Sequence, residues 1–283
     1  MSRSDAETVA IGAPRSYPLA MFRSELHLIF GRARTWALLA GLAVVPIVIG
    51  VAIKLSGHEG GEGFLGQVAG NGMFLAVAAC GLSMPFFLPT AVTVISGESL
   101  AGEASLGTLR VLITAPAGRS RLLAAKLVAL VVFCLTATMT LWLSGLITGI
   151  ALFPVGDVTL LSGTTVPLAN GLLRALGVAG LIAVSMLGLA GIGLSVSSLT
   201  STPLAAMAAT FTSYVVIGIL DAIPQIDVIH PWLLMERWFS FADLLRDPPY
   251  WDDIVRNLWV QAAYLVVFYA GAWARLTSRD IGG

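Results

Sequence analysis

Long apolar runs alternate with short polar segments along the chain, and this alternation predicts a bundle of membrane-spanning helices. A run of about 20 apolar residues crosses the hydrocarbon core of a bilayer as one α-helix. Helices are expected because a backbone surrounded by lipid must satisfy its own hydrogen bonds. Six runs meet this criterion: 36–54, 72–96, 122–153, 172–200, 204–220 and 257–274.

Details within these runs refine the prediction. The third run is longer than one crossing requires, so its helix is expected to tilt or to project beyond the bilayer. Only three residues separate the fourth and fifth runs, and the last of them, Pro203, marks a tight turn. The fourth run carries two series of small residues at a spacing of four, which favour close helix packing. One series contains Gly191 and Ser195, and the other contains Gly193, Ser197 and Ser201.

The composition agrees with a membrane protein. The chain is 57% hydrophobic and 11% charged, whereas soluble domains are about 45–50% apolar and about 25% charged. We therefore predict an all-α integral membrane protein with six transmembrane helices. The formal net charge of zero predicts no nucleic-acid partner. Cys80 and Cys134 lie in apolar runs and are interpreted as packing residues, and the three scattered histidines do not predict a metal site.

Lys and Arg are distributed unequally between the two sets of loops. If the N-terminus is cytoplasmic, the inner segments hold eleven of the 16 basic residues and the outer segments hold five. Because cytoplasmic loops carry the excess of basic residues, both termini are expected inside, in a multi-pass protein of the cell membrane. We do not expect a cleaved signal peptide, since the charged N-terminal region is long and no small-residue cleavage site is evident.

An amphipathic segment precedes the first span. Its apolar residues fall on one helical arc, and its basic residues lie on the opposite side. Such a helix rests in the membrane interface, either as an extension of the first span or as a separate elbow helix. We favour the elbow helix because Gly31 and Thr35 interrupt the run. The apolar arc comprises Phe22, Leu26, Ile29, Phe30 and Ala33, and the basic side comprises Arg23, His27 and Arg34.

The segment 97–121, between the second and third spans, concentrates charge that the rest of the chain lacks. Residues 106–115 can form a short helix in which Leu109, Leu112 and Ile113 recur at i, i+3 and i+4. A short, partly apolar helix outside the lipid is suited to docking in a groove of a partner protein. The alternative is an ordinary solvated loop that follows the charge distribution of cytoplasmic segments.

The order of residues in this segment resembles the cytoplasmic loop of ATP-binding-cassette (ABC) exporter permeases of the type-2 class. The shared motifs are Gly97-Glu98, Gly107-Thr108-Leu109-Arg110, Pro116, Ser120-Arg121, Leu122-Leu123 and Lys126. Weaker similarity extends to both ends of the chain. It includes Phe22, Glu25, Leu26 and Arg32 before the first span and Arg279-Asp280-Ile281 after the last.

The resemblance implies a permease of six spans that pairs with a second permease subunit, identical or related. In that family this loop is a coupling helix that seats in a cleft of a cytoplasmic ATPase subunit. The chain contains no G-x-x-x-x-G-K-[ST] motif, so ATP and Mg are expected on the partner ATPase, with no cofactor on this chain. The residues implied in coupling are Glu98, Glu103, Thr108, Leu109, Arg110, Leu112, Ile113, Arg119 and Arg121.

A substrate path is expected along spans two and five, which meet at the dimer interface in the family. Span two combines two prolines, which kink membrane helices, with Met and Phe side chains that suit a hydrophobic or amphiphilic cargo such as a drug or lipid. Plain helix packing is the alternative for each residue. The candidates are Met73, Phe74, Met84, Phe86 and Phe87, and the family adds Phe211, Thr212 and Tyr214.

The outer segment 221–256 mixes seven acidic residues and three arginines with aromatic residues. Aromatic residues beside charges mark short interfacial helices, and the family places short outer re-entrant elements here as a cap. Acid–base catalysis by paired carboxylates is the alternative. Arg174, near this side, is expected to snorkel or to pair with an outer carboxylate.

These predictions divide the chain into a cytoplasmic tail (1–20), a six-helix permease domain (21–276) and a second cytoplasmic tail (277–283). The leading function is that of a non-catalytic membrane subunit of an ABC exporter. An intramembrane enzyme that uses the outer Asp/Trp-rich segment is one alternative, and a membrane assembly module that moves no substrate is the other.

Overall fold

The computed structural model describes residues 18–56, 68–107 and 119–278, and these residues are largely helical. Five helical stretches in the described residues are long and apolar enough to cross a membrane, one of them being Leu168–Leu199, which comprises two consecutive helices. A bent helix pair supplies a sixth crossing if it is counted as one span. This agrees with the predicted all-α membrane protein. The helices are α1 (Pro18–Phe30), α2 (Ala33–Ser56), α3 (Met73–Ser83), α4 (Phe87–Ser105), α5 (Arg119–Leu152), α6 (Leu168–Ser185), α7 (Leu187–Leu199), α8 (Pro203–Asp221) and α9 (Trp251–Ser278).

The predicted elbow helix is observed as α1, which is separate from α2. The backbone N–H of Gly31 donates to the carbonyl of His27. The side chains of Thr35 and Trp36 then donate to the carbonyls of Ile29 and Phe30 at 2.6 and 2.7 Å. These bonds satisfy carbonyls at the end of α1 that have no partner within the helix. The chain can therefore end one helix and begin the next within a few residues.

Span two is bent by 57° between α3 and α4, as its prolines predicted. Pro85 lies at the break and has no backbone N–H to donate. The Tyr214 hydroxyl of α8 donates to the Pro85 carbonyl, and the Thr90 hydroxyl donates to the Phe86 carbonyl at 2.7 Å. Partners from α4 and α8 thus satisfy the carbonyls at the bend.

Small residues bring the central helices close together. A Cβ on Gly193 of α7 would overlap the hydroxyl of Ser96 on α4, and a Cβ on Gly97 would lie 2.9 Å from the backbone of Met207 on α8. The small residues of span four therefore serve packing, as predicted. Cys80 and Cys134 are likewise buried in the core as free cysteines.

The end of the bundle opposite the α4–α5 loop contains short elements that connect the spans. An antiparallel pair of two-residue strands, β1 (Val158–Thr159) and β2 (Thr165–Val166), was not predicted. The predicted short helices between spans five and six are present as three 3-10 helices. Leu161 follows β1 and its N–H donates to the carbonyl of Leu245 at 3.0 Å, which joins the hairpin to this segment. The 3-10 helices are Pro224–Ile226, His230–Trp232 and Trp238–Leu245.

The contact between Gly72 and Gly149 generates a stability prediction. A Cβ on Gly149 would overlap the backbone oxygen of Gly72, whereas a Cβ on Gly41 has no heavy atom within 4 Å. We expect Gly149→Ala to destabilise the protein by about 1–3 kcal/mol, because backbone cannot yield to the added methyl group. Gly41→Ala is the matched control, and thermal unfolding of both variants in detergent measures the difference. Equal unfolding temperatures for the two variants would contradict the close contact.

Candidate functional site

Six charged side chains converge where α4 ends and α5 begins, on either side of the loop predicted to couple to an ATPase. They come from α1, from the turn after it and from the starts or ends of three spans. We call them the ionic cluster. Its members are Glu25, Arg32, Arg34, Glu98, Glu103 and Lys126.

The buried part of the ionic cluster is centred on Lys126. Its ammonium nitrogen Nζ lies 2.9 Å from Glu25 Oε2 and 2.6 Å from Glu103 Oε1. The side chains of Lys126, Glu25 and Glu103 are only 2%, 7% and 9% exposed. Because a buried charge is destabilising unless it is paired, these contacts hold α1, α4 and α5 together. Burial raises the pKa of Glu25, and the charge of Lys126 opposes that rise.

The outer part of the ionic cluster is centred on Glu98. One carboxylate oxygen lies 2.5 Å from an Arg32 nitrogen, and the other contacts Arg34. These pairs connect α4 to the α1–α2 turn and to the first turn of α2. The end of α4 is therefore held by ion pairs to the α1–α2 turn, to α2 and, through Glu103 and Lys126, to α5.

The start of α5 is anchored separately to the end of α9. The Arg119 guanidinium donates to the carbonyls of Leu276 and Thr277 at 2.8 and 2.9 Å. Trp273 Nε1 donates to the Ser120 hydroxyl at 2.9 Å. A cation at a helix C-terminus is favourable because it faces the negative end of the helix dipole and carbonyls without intrahelical partners. Both ends of the loop are thus attached to neighbouring helices.

One serine joins α7 to α4 beside the ionic cluster. The Ser197 hydroxyl accepts from the backbone N–H groups of Leu100 and Ala101 at 3.0 and 2.8 Å. It donates to the Gly97 carbonyl at 2.6 Å. The Ser197 side chain therefore bridges backbone groups of α4 on both sides of Glu98, from the Gly97 carbonyl to the N–H groups of Leu100 and Ala101.

The structure places the predicted coupling residues in three groups. Glu98, Glu103 and Arg119 hold the ends of the loop, as described above. Arg121 is exposed. The remaining residues, Thr108, Leu109, Arg110, Leu112 and Ile113, lie outside the described residues.

Sequence reasoning did not assign the partners of these residues. Glu25, Arg32 and Lys126 were noted as part of the resemblance, and Arg34 was noted on the basic side of the amphipathic segment. One signal was available. Glu25 lies within one turn of Leu26 and Ile29, so it borders the apolar arc of α1, where a carboxylate requires a buried partner.

The predicted substrate-path residues occupy two environments. Met73, Phe74 and Met84 are buried within the subunit. Phe86 and Phe87 are exposed and meet edge to face at 5.5 Å between ring centroids, and Thr212 is also exposed. Phe211 is half-buried, and buried Tyr214 stacks on Trp238 with 6.0 Å between centroids. Their role in a path stays a prediction.

The outer segment packs into the bundle through buried side chains and polar bonds. Trp238 and Phe241 are buried, and Trp238 stacks on Tyr214 of α8. The 3-10 helix that carries them contacts α6 and α9. On α9, Gln261 donates to the Leu234 carbonyl at 2.9 Å, and Asp253 pairs with Arg237. Arg174 of α6 pairs with Asp247 at 3.4 Å, as expected for a basic residue near the outer end of a span.

Metal binding has no evident site in the part of the chain that the structure describes. Within residues 18–56, 68–107 and 119–278, no group of three or more His, Cys, Asp or Glu side chains is arranged to hold a metal ion.

Comparison with known protein families identifies the family of this chain. The family model described as ABC-2 family transporter protein matches residues 19–231, well over half of the chain. The chain belongs to the ABC-2 transporter family. The match extends from α1 through α8, so it includes the ionic cluster and both ends of the loop. ABC-2 permeases are membrane components of transporters and normally work with ABC ATPases. No curated protein sequence matches the chain significantly.

The lysine-centred part of the ionic cluster generates a second prediction. We expect Lys126→Met to destabilise the ABC-2 protein on the order of 3–5 kcal/mol, because it leaves two buried carboxylates without their cation. Thermal unfolding in detergent measures the loss. The triple variant Lys126→Met, Glu25→Gln, Glu103→Gln should recover much of it because it also removes the two buried carboxylate charges. A triple variant less stable than Lys126→Met alone would show that the charges themselves are not the cause.

Proposed function

We propose that the chain is the permease subunit of an ATP-driven exporter and that it moves a hydrophobic or amphiphilic substrate. Membership of the ABC-2 family supports a transport role. The observation that carries the coupling part of the proposal is the anchoring of the loop between α4 and α5. One end is held by the ionic cluster, and the other is held by Arg119 on the last turn of α9.

Anchored ends allow a loop to transmit force. If a partner ATPase moved the loop, a flexible connection would absorb the displacement before it reached the spans. Here, displacement at Glu103 would act on Lys126 of α5 and Glu25 of α1 through contacts of 2.6 and 2.9 Å. Displacement at Arg119 would act on α9. ATP and Mg would bind the ATPase, and this chain would supply the membrane path.

A second permease subunit would complete that path. Phe86 and Phe87 at the bend of span two are exposed, as are Val216 and Ile219 on α8. These apolar residues lie on the two spans that the family uses for dimerisation and transport, so we propose that they face the second subunit or the substrate. The bend supplies a change of direction in span two, where relative movement of α3 and α4 would alter the width of the path.

In the proposed orientation of this cell-membrane protein, the loop and both termini lie in the cytoplasm. Single cysteines test it, since native Cys80 and Cys134 are buried. We expect a membrane-impermeant thiol reagent to label Ser162→Cys, in the β1–β2 turn, in intact cells. Ser105→Cys, at the end of α4, should be labelled only after the membrane is opened. Both serines are exposed, and the opposite pattern would overturn the orientation and the coupling proposal with it.

Docking of the loop generates a further prediction. We expect Leu109→Asp and Leu112→Asp to weaken association with the partner ATPase at least about tenfold, because a carboxylate would be placed in an apolar cleft. Co-purification with the ATPase measures association, and substrate-stimulated ATP hydrolysis by the complex measures coupling.

Leu55→Asp is the matched control for docking. It makes the same substitution at an exposed leucine. Leu55 lies at the C-terminal end of α2, on the side of the bundle opposite the loop. It should leave association with the ATPase unchanged. Normal association of both loop variants would contradict the assignment of 106–115 as a coupling helix.

A further inference from the structure

The last helix, α9, connects the start of α5 beside the loop to the outer segment at the opposite end of the bundle. We infer that α9 and residues 233–245 of the outer segment form a second coupling route, which carries displacement from the loop to the bend of span two. The physiological role of this route rests on the proposed function, in which a partner ATPase moves the loop. The contacts that form the route belong to the permease alone.

The attachment at the loop end holds the last turns of α9. The Arg119 guanidinium donates to the carbonyls of Leu276 and Thr277 at 2.8 and 2.9 Å, and Trp273 Nε1 donates to the Ser120 hydroxyl at 2.9 Å. Hydrogen bonds from a charged donor are roughly twice as strong as those between neutral groups. The start of α5 and the end of α9 are therefore expected to move together.

The helix α9 is suited to carry this displacement along its axis. It is one continuous helix of 28 residues without an internal proline, so it is about 42 Å long and lacks the commonest cause of a kink. Five of its residues are buried, and the rest of its surface is wholly or partly exposed. Gly191 of α7 presents no side chain where it approaches the backbone of Leu265. A small displacement of α9 therefore meets little steric resistance.

At its other end, α9 holds the outer segment through two side chains. Gln261 is 1% exposed, and its amide donates to the Leu234 carbonyl at 2.9 Å. Asp253 pairs with Arg237. Breaking the buried bond would leave polar groups without a partner, which is unfavourable where water is excluded. Displacement of α9 therefore acts on residues 233–245.

The outer segment in turn contacts the bend of span two. Trp238 is 1% exposed and stacks on Tyr214 of α8, with 6.0 Å between ring centroids and 16° between ring planes. The Tyr214 hydroxyl donates to the Pro85 carbonyl at the 57° bend. A Cβ on Gly81 of α3 would lie 3.2 Å from the ring of Phe241. The outer segment thus contacts α3 directly and the bend through Tyr214.

Two routes then reach span two at different points. The ionic cluster acts directly on the end of α4 beside the loop, whereas α9 acts on the bend through the outer segment. A helix pair that is displaced at two points changes its bend angle, whereas displacement of one end alone can be absorbed as a tilt. The route through α9 therefore converts displacement at the loop into a change of angle at Pro85.

Hydrogen exchange of the purified full-length permease in detergent, measured by mass spectrometry, tests this route. Exchange reports local opening of the backbone. We expect Arg119→Gln to raise exchange in residues 233–245 about fivefold, at the low end of typical coupling between sites, and to raise exchange in residues 83–90 by a smaller factor. Arg121→Gln, at an exposed arginine two residues further along α5, is the matched control and should change neither. Unchanged exchange in Arg119→Gln, or equal rises in the two variants, would overturn the inference.

Residues 50–56, at the C-terminal end of α2, control for general loosening of the bundle. They lie outside the route and should exchange at the wild-type rate in Arg119→Gln. A rise there as large as the rise in residues 233–245 would show loss of overall stability and would also overturn the inference.

A double-mutant comparison tests the link between α9 and the outer segment. Gln261→Leu with Asp253→Ala removes both contacts, so adding Arg119→Gln to that variant should raise exchange in residues 233–245 no further. Independent effects would instead add, and an additive rise would contradict transmission through α9.

Tyr214→Phe tests the last step with little risk to folding, because it keeps the aromatic ring and removes only the hydroxyl. In this background Arg119→Gln should still raise exchange in residues 233–245 but no longer in residues 83–90. A rise at the bend that persists without the hydroxyl would contradict the Tyr214 link. Since no ATPase is present in these measurements, their outcome is independent of the docking prediction for Leu109 and Leu112, and failure of either result is distinguishable from failure of the other.

Discussion

The arrangement of the helices at the loop end of this protein depends on the pairing of one buried lysine. Lys126 is four residues inside an apolar run of α5, where a charge without partners would be strongly destabilising. Its two carboxylate partners come from α1 and from the end of α4. All three helices must therefore converge for the fold to form, and the ends of the loop are brought to fixed positions as a consequence.

The ion pairs among the described residues lie at the two ends of the bundle, while small residues and aliphatic side chains dominate between them. At the loop end are the ionic cluster and the Arg119 contact with α9. At the opposite end, Asp253 of α9 pairs with Arg237, and Arg174 of α6 pairs with Asp247. Polar side chains are less unfavourable near the interface than in the lipid interior. The chain thus places its strong directional contacts where they disturb membrane solvation least.

Membership of the ABC-2 family gives these contacts a functional context. A transporter that is driven from one side of the membrane needs stiff connections at the driven end and freedom to rearrange elsewhere. The ionic cluster and the Ser197 contact to α4 provide stiffness beside the loop. The 57° bend of span two and the exposed aromatic pair at Phe86 and Phe87 lie on the proposed path, away from this rigid region.

Much of the fold could be predicted from the sequence because a bilayer imposes a local rule. Each crossing requires about 20 apolar residues, and this length is visible without knowledge of any neighbour, as are the break at Gly31 and the kink at Pro85. The β1–β2 hairpin escaped prediction because its two-residue strands carry no measurable pattern. The loop-end charges were recognised as a group, but their partners were not.

Tertiary structure alone decided those partners. Glu25 and Lys126 are 101 residues apart, and Ser197 lies 100 residues from the Gly97 carbonyl to which it donates. Hydropathy specifies how many helices cross the membrane but not which helices become neighbours or how each is rotated about its axis. Those choices follow from the close approach of helices at glycines and from ion pairs between residues far apart in sequence, and they determine where the ionic cluster is formed.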